Sequence, residues 1–317
     1  MILGANSGVQ FLGRAWVLLV ETLPTVRRAK LSNEKLDRRS MHAAACHTVL
    51  TSSAGRTTIR NGAATMAQTA KPGQLKARTL EAFEAYVHEA ETEMEQTLHG
   101  SGPFLWSDSN AERAQQVRGG KIVAQSWSGR GPVKVPDGLI HDWIAAAFIA
   151  DTSAEDTLAL IQDYDNHKNI YKPEVIDSKL ISRHDNNFQI YLRLLQKKII
   201  TVILDTEHRV QYRLLDQARW LCRSYTTRIA EVENAGSHEE RVSPPDTGHG
   251  FLWRLYSYWR LQEHDGGVVV ECRALSLTRD VPFGLTWAIE PIIQKLPKES
   301  LINILETTRQ ALHATTR

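Results

Sequence analysis

The chain has 317 residues, 42% hydrophobic and 23% charged, with a formal net charge of +2. That is enough to bury a sizeable core in one or two domains, and a near-balanced charge leaves no clustered basic face of the kind a nucleic-acid binder shows. The cysteines Cys46, Cys222 and Cys272 form no C-x-x-C pair, which argues against a disulfide framework and against a cysteine zinc site.

No stretch reaches the ~18 apolar residues of a membrane span. The run "AWVLLV" (15–20) is short and Glu21 ends it. Residues 1–70 mix Ser, Thr, Arg and Ala without sustained periodicity and read as a disordered or non-native leader; Met66 opens an alternative start, and localisation stays open. The His42, Cys46 and His47 group in this leader reads as incidental. From Leu75 the pattern changes: Leu80, Phe83, Val87, Ala90, Met94 and Leu98 step by three or four. This predicts an amphipathic helix with an acidic outer face, packed on the main domain. The following Gly- and Pro-punctuated stretch to residue 137 predicts an irregular connector with one or two short strands.

From Gly138 the elements are distinct. "LIHDWIAAAFI" (139–149) predicts a strand. Residues 151–171 open with a capping-box-like Ser153 and Asp156 and predict a helix or helix pair. In its tail, "DYDNHK" holds Asp163, Asp165 and His167, but a spacing of two does not gather them on one helical face, and a helix-end polar cluster is the expectation. Six strands follow Pro173: 175–182, 188–198, 200–215, 219–232, 251–263 and 268–278, separated by turn formers such as "HDNN", "DQA" and "HDGG". Cys222 and Cys272 fall inside them and read as small buried residues; nothing supports a bridge between them. The chain closes on helical sequence that Pro291 and Pro297 divide into a shorter piece and a main helix opening at Lys298.

This predicts an α+β fold: a curved antiparallel sheet of about seven strands wrapped around a long C-terminal helix, with a short helix pair after the first strand and an extra N-terminal helix. The opening "WIAAAFIADTSAEDTLALIQDYDNHKNIY-KPEVIDSKLI" and the ending "VVVECRALSLTRDVPFGLTWAIEPIIQKLPKESLINILETTRQAL" resemble the START-like (SRPBCC) helix-grip superfamily. That group includes the birch-pollen-allergen type, polyketide cyclases and ubiquinone-binding START proteins. The resemblance covers about residues 138–315 and does not extend to the first 137. It implies a cavity between sheet and terminal helix for a lipid, quinone, polyketide or sterol-like molecule. It carries over no catalytic residue, cofactor or metal.

Candidate ligand residues are polar or aromatic side chains on the strands: Tyr191, Arg193, Tyr225, Arg228, Trp253, Tyr256, Tyr258, Glu271 and Arg279. Glu271 and Arg273 share one face of the last strand. Either that face is the solvated outer one, with ion pairs to Arg254 or Arg260, or it lines the cavity. A hydrophobic small molecule is the partner these features suit. The rival is a cyclase- or hydrolase-like enzyme with His141, Asp142, Glu271 or Tyr258 as acid or base. No nucleophile elbow, zincin, Walker or dinucleotide motif is present in the sequence.

Overall fold

A computed structural model describes residues 72–197, 201–264, 266–280 and 286–315, with side chains of the last helix described from 295 to 314. The expectations for residues 1–70 lie outside these.

Helix α1 spans Ala77–His99 and buries Phe83, Val87, Ala90 and Met94 of the stripe its spacing predicts, with Thr79 besides, while Leu80 and Leu98 at its ends stay partly exposed. The connector contains one element the periodicity missed. Helix α2, Ala111–Arg118, is capped by Asn110, whose side-chain oxygen accepts the Arg113 amide at 2.9 Å, and it ends at Gly119. Eight residues are fewer than a periodicity window needs, so only the cap chemistry announces it. Two short strands follow, β1 (Val123–Ser126) and β2 (Val133–Val135), then the long β3 (Gly138–Ala150). Ser153 caps the next helix as expected. Ser153 Oγ accepts the Asp156 amide at 3.0 Å and starts α3, Ala154–Gln162. A 3-10 turn leads to α4, His167–Ile170.

Six antiparallel strands come next: β4 (Val175–His184), β5 (Asn187–Lys197), β6 (Thr201–Asp216), β7 (Arg219–Glu233), β8 (Arg254–His264) and β9 (Gly267–Arg279). The sheet order is β1-β3-β9-β8-β7-β6-β5-β4, with β2 also on β3. Strands β4 to β9 therefore pair in succession, β9 closes back onto β3, and β1 and β2 both pair with β3. Strand, helix pair, six strands and long terminal helix are the α+β order that the sequence predicts.

The terminal helix α5 runs unbroken over Thr286–Thr315, so Pro291 and Pro297 do not divide it. Each proline lacks the amide that would bond the carbonyl four residues back. That local loss is offset along thirty residues by burial of the stripe Leu301, Leu305, Thr308 and Leu312.

Successive side chains alternate between the two faces of the sheet. On the inner face Ala145, Ala147, Ile149, Val268, Val270, Cys272 and Leu261 pack with α3 and with Leu301, Leu305 and Leu312 of α5. On the outer face Ile140, Leu275, Leu277 and Tyr258 pack with Phe83, Val87, Ala90 and Met94 of α1. Phe104, Leu105 and Val117 of the connector cover Ala146, Leu221 and Val269 on that same face. The sheet is thus a middle layer, with the gripped helix on one side and the N-terminal segment on the other.

Candidate functional site

The apolar half of the inner face lies at the α3 end, where Leu301 to Leu312 sit. β9 leaves the sheet at the other end, at Arg279, and α5 begins seven residues later at Thr286. There the inner face changes character. His141 on β3 stands opposite Ser276 on β9, and Ser276 opposite Leu255 on β8. The Leu255 amide donates to Thr226 Oγ1 on β7 at 3.0 Å, and Thr226 stands opposite His208 on β6. One row across five strands therefore carries two imidazoles and two hydroxyls.

Both rings are buried, His141 to 2% and His208 to 6% exposure. His141 Nε2 lies 3.1 Å from Thr278 Oγ1, while its Nδ1 has no hydrogen-bond partner among the described residues. For His208 the tautomer follows from its neighbours. Thr206 donates its hydroxyl to the Leu192 carbonyl at 2.9 Å, so its oxygen accepts from His208 Nε2, also at 2.9 Å. Nε2 thus carries the proton, and Nδ1 is an acceptor with only Ser224 Oγ near it, at 3.4 Å. Burial pushes both rings down to about 4, so both are neutral at physiological pH.

Most of the sequence-predicted candidates sit on the opposite face. Tyr225 and Tyr258 both donate to Glu91 Oε1 of α1, at 2.6 and 2.8 Å. Burial, with Glu91 adding to it, raises both phenols. Tyr256 meets the Phe83 ring edge-on at 5.3 Å. Tyr191 and Arg193 converge on Asp205, with Arg193 donating from Nε at 2.7 Å and Nη2 at 2.9 Å. Arg193 also reaches Glu240 at 3.0 Å. Arg228 pairs with Glu207 at 3.6 Å. Trp253 is buried in the α1 cluster, and the Arg279 amide donates to the Gly250 carbonyl at 2.8 Å. The structure brings together Tyr225, Tyr256 and Tyr258, and separately Tyr191 and Arg193; it places none of these five between sheet and α5.

The charged pair on β9 is outward, as the first of its two expectations has it, but that face is covered and not solvated. Glu271 is 1% and Arg273 4% exposed, because α1 and the connector cover that face. Glu271 accepts the backbone amides of Trp106 at 2.8 Å and Ser107 at 2.7 Å. Its cross-strand neighbour Arg260 donates to the Phe104 carbonyl. Burial raises the Glu271 carboxyl while the Ser107 and Trp106 amides pull it back. Arg273 makes a two-pronged contact with Asp142, Nε at 3.0 Å and Nη2 at 2.7 Å, and its guanidinium lies 3.8 Å over Trp127. Arg254 pairs with Asp246. The acid/base candidates are therefore split: His141 faces inward, while Asp142, Glu271 and Tyr258 face outward.

The end of the sheet that carries His141 is bounded by the β7–β8 connection. Glu231 gathers it, accepting the amides of His249 at 2.8 Å and Gly250 at 2.9 Å and the His249 ring at 2.9 Å. Gly248 (φ +120°) and Gly250 (φ +77°) are needed here: a Cβ on Gly248 would lie 2.6 Å from Glu231 Oε2, and one on Gly250 2.6 Å from Arg279 Cβ. His167 of the "DYDNHK" stretch is buried, its Nε2 3.1 Å from the Ile161 carbonyl. Among the described residues, no group of three His, Cys, Asp or Glu is placed to hold a metal ion.

Sequence reasoning passed over His208, Thr226 and Ser276. A signal was present: each lies on the face of its strand that carries Val210 and Tyr212, Cys222, or Val270 and Cys272.

No family model matches the chain, and no curated relative matches it. Solved structures do. A STAR-related lipid transfer protein fragment from Xanthomonas axonopodis is 15% identical, with 58% of this chain and 99% of that one covered, at a TM-score of 0.41. The Zhui aromatase/cyclase from Streptomyces sp. R1128 is 10% identical, with 56% and 96% covered, at 0.41. Human STARD10 is 11% identical, with 64% and 79% covered, at 0.37. At such identities and scores these neighbours say nothing of the ligand or chemistry of this chain.

Proposed function

We propose that the chain binds a hydrophobic small molecule on the inner face of the sheet, against the early turns of α5. The observation that carries this is the His141 Nδ1 atom, a polar group on a 2% exposed side chain that finds no partner among the described residues. An unsatisfied buried group of this kind costs about 1–3 kcal/mol, so folded proteins seldom keep one without use. A ligand oxygen would satisfy it. Affinity would come mainly from apolar burial, about 25 cal/mol per Å², with Trp143 and Trp259 partly buried beside the same core.

Binding is favoured over acid–base turnover by the same imidazole. A ring pushed down to about 4 is a weak base at neutral pH. Asp142 does not assist it, since neighbouring residues of a strand point to opposite faces.

The test is native mass spectrometry of the full chain purified from a host extract, followed by solvent extraction of any adduct. A stoichiometric hydrophobic molecule is the expected result. A protein that emerges empty and fails to bind a neutral hydrophobic fluorophore would overturn the reading.

A further inference from the structure

We propose that the ligand is an uncharged molecule carrying two or more hydroxyl or carbonyl oxygens on an apolar body, held between His141 and His208, and not a fatty acid or an anionic headgroup. This rests on the binding reading above and narrows it.

Charge is the first argument. The inner-face positions of β3, β9, β8, β7 and β6 include no lysine or arginine in the described structure. Of the carboxylates there, Glu263 is engaged with the Ala154 amide at 2.7 Å and Glu231 with the β7–β8 connection, while Glu233 at the end of β7 is exposed. An anion brought here would lose its hydration and meet no counter-charge among the described inner-face residues, which is prohibitive in a buried site.

The polar row is the second argument. The row from His141 to His208 crosses four strand spacings, roughly 19 Å of sheet. His141 Nδ1 is unpartnered and His208 Nδ1 has a single contact at 3.4 Å. Ser276, between them on β9, is 8% exposed and buried with them. A saturated hydrocarbon would leave His141 Nδ1 unmatched and His208 Nδ1 with the Ser224 hydroxyl alone. A rigid body with oxygens along its length would match them, the hydroxyl of such a ligand donating to His208 Nδ1.

The experiment uses the full chain and displacement of the neutral fluorophore N-phenyl-1-naphthylamine by three competitors. These are 1,8-dihydroxyanthraquinone, the bare tricycle phenanthrene, and the anion oleate. The expected result is that the dihydroxyanthraquinone displaces at about tenfold lower concentration than either other competitor, the margin of one well-made hydrogen bond. In His141→Leu that margin over phenanthrene disappears while phenanthrene itself displaces as before. Should His141→Leu not fold, Ser276→Ala is the second variant, with the margin reduced. Oleate displacing as well as the dihydroxyanthraquinone, or a margin untouched in both variants, overturns this inference and leaves binding intact. A fluorophore that never binds overturns both.

Discussion

Glu271 and Ser107 are 164 residues apart and joined by a 2.7 Å hydrogen bond, amide to carboxylate, with Trp106 donating to the other oxygen. A carboxylate has thus been buried in the middle strand of the sheet to hold the backbone of the connector. Together with Arg260 on the Phe104 carbonyl, it fastens the N-terminal segment to the outer face.

Replacing Glu271 by Ala leaves two amides without acceptors, at an expected cost of about 2–4 kcal/mol. Glu271→Gln keeps one acceptor and costs less. The readouts are urea unfolding and limited proteolysis, with new cleavage in residues 100–120 preceding global unfolding in the Ala variant. Equal stability of both variants with the parent, and no new cleavage, would sink the clasp.

Asp142 and Arg273 are each 4% exposed by side chain, 2.7 Å apart, and Tyr86 donates to the same carboxylate at 2.8 Å. Removing one partner strands the other charge. Asp142→Ala or Arg273→Ala is expected to lose about 3–5 kcal/mol. The double variant Asp142→Leu, Arg273→Met loses much less than the sum, and a double-mutant cycle in urea measures the coupling. Additive losses would show that the pair is not a unit.

The element order was legible because six strands with period-two alternation are separated by turn formers, and α1 shows its stripe directly. Face was harder. Alternation says which side chains share a face, not which face meets α5, so the side taken by Glu271, Tyr225 and Tyr258 stays open in the sequence. Arg228 shows a second reason. By parity it belongs with Ser224 and Thr226, but the register shift between Glu207 and His208 leaves Thr227 as an extra residue, which turns Arg228 outward to Glu207. Nothing in the local sequence marks that bulge. His141 and Asp142, by contrast, were separable from sequence alone, since adjacent strand residues diverge.

Cys222 and Cys272 both stand opposite Trp259, on β7 and β9, so β8 lies between them and they are free thiols. Burial pushes Cys222 up to about 12 and Cys272 well up. Neither is expected to react with iodoacetamide in the native protein at pH 8, and both react in 6 M guanidinium. Peptide mass spectrometry of each cysteine reads this; native labelling of Cys272 would contradict its place under the sheet.

Acid should destabilise the fold well above the usual carboxylate range. His141, His167 and His208 are each pushed by burial down to about 4. The unfolded chain takes up these protons near pH 6.5, the folded chain only near pH 4. Their contribution is therefore complete above about pH 6.5 and is lost as pH falls from there to about 4, on the order of 3 kcal/mol for each ring at most. Glu271 acts in the opposite sense. Its folded value is raised, so protonation at low pH relieves a burial penalty and offsets part of the loss. Urea midpoints measured from pH 7.5 to 4 should fall throughout the window below 6.5. His208→Gln, which keeps a hydrogen-bonding group beside Thr206 without the titration, should make that fall shallower. A midpoint flat down to pH 4.5 would mean that the rings are solvated and not buried as described.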